Sequence, residues 1–228
     1  STASITTSST AKPTSTTVPA VVIPDGGKEL VTIPTTDKVV ALTFDAAYDP
    51  EPLAAILASL KAPNAKATFF LTGEFVRDFP ESVLAIKAGG HAIGNHSWSH
   101  PDFLKVSDDE IRSQLRRTAA ALTKLGVADP RPLFRFPYGS RNKVALRVVG
   151  SEGYLSYFWT IDTVDWKEER TPEQVRASIL DKLQPGAIVL MHVGSKQTAS
   201  VLPQILKDLA ERGYKTVGLR EALQAYGF

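Results

Sequence analysis

The 228-residue sequence predicts an α/β fold in the form of a distorted, incomplete (β/α) barrel. Two observations carry that expectation. Short apolar runs rich in β-formers alternate with helical patterns from Glu29 to the C-terminus, which implies parallel strands covered by helices. The reactive side chains then fall one after another at the C-terminal ends of those runs, the face on which a barrel builds its sites. An open doubly wound sheet also binds ligands at that edge, but it gathers them at one switch point, and no glycine-rich phosphate loop marks one here. About seven strands can be counted, one short of a closed barrel of eight.

The elements follow in order. Residues 39–44, Val-Val-Ala-Leu-Thr-Phe, read as a buried strand, with a helix over 51–60 after a turn. Residues 67–71 are the next strand, and a helix over 80–88 is stopped by Gly89 and Gly90. Ala92 and Ile93 form a third strand running into a histidine-bearing stretch. Ser107-Asp108-Asp109-Glu110 has the capping-box pattern and opens an amphipathic helix to about Leu125. A short strand over 133–136, a helix over 142–149 and an aromatic-rich strand over 154–161 come next. Thr171-Pro172-Glu173-Gln174 places a cap before a first-turn proline and starts a helix to about Leu183. An all-apolar strand over 187–191, a helix over 200–212, a strand over 214–217 and a helix over 220–226 complete the chain.

Composition narrows the functional classes. The net charge of +2 comes with no dense Lys/Arg run interleaved with aromatics, which argues against a nucleic-acid partner. There is no cysteine, so a disulfide, a thiol nucleophile and a thiolate metal site are excluded, and any metal must sit on His, Asp or Glu. No apolar run approaches the roughly 20 residues needed to cross a bilayer. Residues 1–27 are mostly Ser, Thr, Ala and Pro and read as a linker or stalk, with the globular domain over 28–228. The start at Ser1 reads as a processed or truncated boundary, and the stalk suggests a secreted or envelope-associated bacterial protein.

Asn95-His96-Ser97-Trp98-Ser99-His100-Pro101 holds two of the four histidines. On a strand, positions four apart would lie roughly 13 Å apart at ~3.3 Å per residue, too far to chelate one ion. On a helical turn they would be neighbours. Pro101 biases His100 away from the α region, so a tight turn or short helical piece is expected. By itself the pair reads equally as a metal clamp or as two structural histidines.

Five stretches, Thr43-Phe44-Asp45, His96-Ser97-Trp98-Ser99-His100-Pro101, Arg135-Phe136-Pro137-Tyr138, Asp162-Thr163-Val164-Asp165-Trp166 and Leu190-Met191-His192, occur in an order and spacing that resembles the polysaccharide deacetylases, carbohydrate esterase family 4, with the NodB-like fold. The resemblance covers about residues 38–228. It implies a metal-dependent hydrolase that removes acetyl groups from a polysaccharide. Such chemistry needs a Lewis acid, a base for water, donors for the oxyanion and an acid for the leaving amine. By resemblance, Asp45 is the base and Arg135 holds it; His192 is the acid and Asp165 supports it. His96 and His100 hold the metal, zinc first, with cobalt or manganese as alternatives. The Tyr138 backbone N–H is the oxyanion donor, and Trp166 and Leu190 line the groove. Structural roles compete for each: a turn-capping Asp45, a surface ion-pairing Arg135, a buried neutral His192, and plain packing for Trp98, Trp166 and Tyr138. For Asp162 a loop-ordering role competes, and His91 reads as structural.

The family's first motif continues with a second aspartate, a metal ligand, and a glycine; here Ala46-Ala47-Tyr48 follows Asp45. Alanine cannot ligate. The metal would be held by two histidines and water, or Asp45 or Asp49 would swing in, or metal binding is weak. The expected substrate is N-acetylglucosamine in peptidoglycan, then chitin-type oligomers. An O-acetyl xylan esterase and a catalytically weak glycan-binding relative are the alternatives. A monomer is expected.

Overall fold

The computed structural model describes residues 27–228, so the expected linker lies outside the described residues except for Gly27. Its strands are β1 (Glu29–Leu30), β2 (Val39–Ala46), β3 (Thr68–Leu71), β4 (Ala92–Asn95), β5 (Leu133–Phe134), β6 (Leu155–Tyr157), β7 (Ile161–Asp162), β8 (Ala187–His192) and β9 (Lys215–Thr216). Between them run α1 (Leu53–Lys61), α2 (Gly73–Asp78), α3 (Pro80–Ala88), α4 (Asp108–Lys124), α5 (Lys143–Ser151), α6 (Pro172–Leu180), α7 (Lys196–Glu211) and α8 (Leu219–Tyr226). All strand pairs are parallel, in the order β1-β6-β5-β4-β3-β2-β8-β7, with β9 added beside β2. The result is the expected incomplete barrel, a parallel half-barrel wrapped by helices.

Nine strands stand where about seven were expected. β1 is only two residues long and leaves no alternation to read. The aromatic run over 154–161 is two strands at opposite ends of the order: β6 pairs with β5 and β1, whereas β7 pairs with β8. Between them the chain crosses the barrel's gap, as Phe158 N–H donates to Leu30 O and Thr160 N–H to Ile188 O, each at 2.8 Å.

β2 is buried along its whole length, as a parallel strand covered on both faces should be. Its side chains alternate. Val40, Leu42, Phe44 and Ala46 join the cluster that includes Ile56 and Leu60 of α1 and Leu202 and Ile205 of α7. Ala41 instead joins Phe70, Leu133, Tyr157 and Ile188 inside the barrel. Thr43 and Asp45 share the parity of Ala41, which turns them inward.

Local signals explain most helix boundaries. Thr171 and Gln174 form a reciprocal capping box at α6, and Asn142 caps α5. At α4 Ser107 accepts from Glu110 N–H, but the reciprocal half is missing because the Glu110 carboxylate accepts from Gln114. α2 went unread because six residues give too little periodicity; Thr72 caps it by accepting from Phe75 N–H. α7 begins at Lys196, earlier than the expected 200, because Ser195 caps it and Pro203 is tolerated inside.

Gly94 in β4 has no room for a side chain, since an added Cβ would lie 2.6 Å from the Phe70 ring and 3.0 Å from Leu133 Cβ. Gly94→Ala is expected to destabilise the fold by ~1–3 kcal/mol through overpacking. Urea unfolding checks this, as a lowered midpoint at unchanged slope.

Candidate active site

Arg135 follows β5 and is completely buried. Its guanidinium makes four hydrogen bonds. Nη1 donates to Asp45 Oδ1 at 2.9 Å and to Thr43 Oγ1 at 2.7 Å. Nε and Nη2 donate to the carbonyls of Tyr157 and Phe158 at 3.0 Å, and the plane lies over the Phe70 ring. Burial alone would push the Asp45 carboxyl up, but Arg135, His96 and His192 outweigh it and hold its pKa below the usual 3.8.

His96 follows β4 and is buried with its Nδ1 2.9 Å from the Arg135 carbonyl oxygen. A carbonyl only accepts, so Nδ1 carries the hydrogen and Nε2 keeps its lone pair. That lone pair lies 3.5 Å from Asp45 Oδ2. Burial lowers the His96 pKa and keeps the ring neutral, a form suited to metal ligation. The His100 ring sits 4.8 Å from it, centre to centre, and its buried Nδ1 has no hydrogen-bond partner. Burial first, and His96 second, push the His100 pKa down to about 3. The turn that brings these imidazoles together uses positive φ at Ser97 (70°) and His100 (58°).

Gln114 fastens that turn from α4. Its Oε1 accepts from Trp98 N–H at 2.7 Å and Ser99 N–H at 2.9 Å, and its Nε2 donates to Ser99 Oγ and Glu110. Asn95 holds the other end, accepting from Ser97 N–H and donating to Leu115 O and Tyr154 Oη. The sequence reading missed Gln114; the available signal was a polar residue at i+3 from Ile111 on the buried stripe of α4.

On the far side of Asp45, β2 and β8 pair in register as Asp45↔His192. His192 Nδ1 lies 2.7 Å from Asp165 Oδ1. Asp165 Oδ2 accepts from His192 N–H and, at 2.5 Å, from Thr198 Oγ1 on α7. Burial disfavours a charged His192, but the Asp165 hydrogen bond and charge, with Asp45, outweigh it and raise the pKa above 6.5. Thr198 was also missed, and nothing in the local sequence points from it to Asp165, 33 residues away.

The remaining candidates separate. Tyr138 is left-handed (φ 58°) between Pro137 and Gly139, 70% exposed, with its ring 4.4 Å from that of His100. Trp166 is 61% exposed beyond β7. Leu190 is buried two residues before His192, hence on the same face of β8. Trp98 packs between Gly73 and the Arg117 guanidinium. Asp162 accepts from Val164 N–H and so orders its own loop. His91 lies against Phe69 outside this cluster.

A parallel half-barrel with an Arg–Asp–His group and an Asp–His pair at its C-terminal rim is a scaffold suited to acid–base hydrolysis. The polysaccharide deacetylase family profile matches residues 32–157. A peptidoglycan-N-acetylglucosamine deacetylase of Bacillus cereus is 38% identical over 81% of this chain and 68% of its own length. The peptidoglycan-N-acetylmuramic acid deacetylase PdaA of Bacillus subtilis is 31% identical over 84% and 77%. The solved structure of BA3943 of Bacillus anthracis, described as a CE4 family pseudoenzyme, superposes with TM-score 0.81 at 32% identity, covering 86% of this chain and 69% of that one. A mutant of BA3943 is described as having restored enzymatic activity. The chain belongs to the polysaccharide deacetylase family.

The family implies a divalent metal, and the donor set fits one in part. His96 Nε2 and the unpartnered His100 Nδ1 belong to adjacent neutral imidazoles. Among the described residues, however, no group of three or more His, Cys, Asp or Glu side chains is gathered to hold a metal. The Asp49 carboxylate accepts from Glu51 N–H at 2.8 Å. Ala46 is buried in the apolar cluster between sheet and helices.

Gln114→Leu should strand the Trp98 and Ser99 amides, both in part-buried hydrogen bonds, and cost about 1–3 kcal/mol, read as a lower Tm. Zinc is expected to wash out under chelator dialysis. Ala46→Asp should tighten zinc binding at least roughly tenfold while lowering the Tm of metal-free protein, because it buries a carboxylate. Zinc titration with a competing dye and melting with and without zinc check both.

Proposed function

We propose that this chain is a metal-assisted deacetylase of the cell envelope, acting on N-acetylglucosamine residues of peptidoglycan. The single observation that supports this most is the pair of oppositely tuned groups on adjacent strands: Asp45, whose pKa Arg135 lowers, and His192, whose pKa Asp165 raises. The similarity to peptidoglycan deacetylases supports the substrate class.

In this reading Asp45 accepts a proton from the attacking water as its oxygen adds to the acetamide carbonyl. Arg135 keeps the carboxylate oriented, and Thr43 limits the ways it can turn. A donor such as the Tyr138 backbone N–H meets the oxyanion, and protonated His192 delivers its proton to the departing sugar nitrogen as the carbon–nitrogen bond breaks. Asp165, steadied by Thr198, fixes the His192 ring with Nδ1–H inward, leaving Nε2–H for the leaving group. Leu190 supplies an apolar floor for the acetyl methyl, and Trp166 a face for the sugar. A divalent ion held by His96 and His100, zinc or else cobalt or manganese, would supply Lewis acidity toward the carbonyl and water.

A second reading is a glycan-binding relative with weak catalysis, favoured by Ala46 and by the likeness to a pseudoenzyme. Acetate release separates the two. The deacetylase releases acetate from N-acetylglucosamine oligomers or peptidoglycan with added Zn²⁺, Co²⁺ or Mn²⁺, and acetylated xylan serves as the ester arm. Asp45→Asn and His192→Ala should each lower kcat by at least ~10²-fold, the scale of general acid–base catalysis. Oligomer binding without release under any metal overturns the enzyme reading.

The pH profile carries a further test. Asp45 must be ionised, and its depressed pKa puts the acid limb below pH 3.8; His192 must be protonated, and its raised pKa puts the alkaline limb above pH 6.5. Asp165→Asn removes the group that raises the His192 pKa, so the alkaline limb of kcat should move to lower pH, with the acid limb unmoved.

A further inference from the structure

Tyr48 belongs to none of the groups placed so far, yet it stands among them. A single exposed apolar side chain is ordinary, whereas several gathered at one rim are informative. Among the described residues the large aromatics counted as exposed are Tyr48 (68%), Tyr138 (70%) and Trp166 (61%), and all three follow the C-terminal ends of strands. Their order along the rim follows from the sheet: Tyr138 after β5, the His96–His100 turn after β4, Tyr48 after β2, His192 at β8 and Trp166 after β7. The aromatic rings therefore alternate with the imidazoles.

Tyr48 is held in that position by anchors on both sides. Thr72 N–H donates to Ala46 O at 3.0 Å, tying the preceding residues to the start of α2. Asp49 accepts from Glu51 N–H, and Glu51 pairs with Lys196 at 2.9 Å. The ring meets His100 edge-on at 6.4 Å, on a histidine that Tyr138 contacts at 4.4 Å. Partial burial, then Tyr138 and Glu74, push the Tyr48 hydroxyl above its usual pKa, consistent with the two phenols sharing one rim.

We propose that Tyr48 is a sugar-stacking residue and that, with Tyr138 and Trp166, it makes the site a groove for an internal stretch of a glycan strand. An aromatic face is suited to the C–H face of a pyranose ring, and tyrosine offers it at low entropic cost. Rings spaced along the rim on both sides of Asp45 and His192 suit a substrate several sugars long, because a single sugar would leave most of them in water. The inference rests on the glycan-processing reading above.

Calorimetric titration of N-acetylglucosamine dimer, tetramer and hexamer into the zinc-supplemented chain tests it, with acetate release measured in parallel. The expected result is tighter binding of tetramer and hexamer than of dimer, a roughly five- to tenfold higher Kd for tetramer in Tyr48→Ala, and a Kd within about twofold of the parent in Tyr48→Phe. Unchanged tetramer affinity in Tyr48→Ala overturns the proposal, as does an equal loss in Tyr48→Phe, which would mean the hydroxyl and not the ring makes the contact. Failure of the parent chain to bind any oligomer overturns it together with the glycan reading. Binding that depends on Tyr48 without acetate release sinks only the deacetylase activity. Release that persists with Tyr48→Ala binding unimpaired sinks only the role of Tyr48.

Discussion

The buried guanidinium of Arg135 is the constraint on which the rest of the site depends. It is taken out of water entirely, and a cation in that position is tolerated only with a paired charge and a full set of acceptors. Asp45 supplies the charge, and Thr43, Tyr157 and Phe158 supply the remaining acceptors. The same residue's carbonyl sets the tautomer of His96. One side chain and its own backbone thereby fix β2, the turn after β4 and the segment that crosses the barrel's gap. Breaking such a pair from one side typically costs ~3–5 kcal/mol, so the geometry of the carboxylate and the integrity of the half-barrel are one property.

The opposite side of the site is built by a different device. Asp165 spends both oxygens on orientation, one on the His192 ring and one shared by the His192 amide and Thr198. Strand end, loop and helix start thus converge on one carboxylate. The two halves perturb their acids in opposite directions, Asp45 downward and His192 upward, which is the separation an acid–base pair needs.

Ala46 gives this member of the family its particular character. The histidine turn is fully built, with Asn95 and Gln114 satisfying its backbone, yet the position that would add a carboxylate carries a methyl group absorbed into the helix–sheet core. The lone pair of His96 faces Asp45 Oδ2 at 3.5 Å with no fixed proton between them. That arrangement favours a cation beside it, and the protein provides fewer anionic ligands for one than a second aspartate would allow.

Much of this was legible in the sequence. The alternation of apolar runs with helical patterns fixed the parallel architecture, and the placement of Asp45, His96, Arg135, Asp165 and His192 at strand ends located them on one face, because side-chain period and strand direction are local properties. The absence of a carboxylate at Ala46 was equally plain. What only the tertiary structure decided are the contacts between segments far apart in the chain: the 90-residue reach from Arg135 to Asp45, the tautomer of His96, the splitting of one aromatic run into β6 and β7, and the recruitment of Gln114, Thr198 and Tyr48 to the rim. Those depend on strand order and on the gap in the barrel, which local periodicity does not encode.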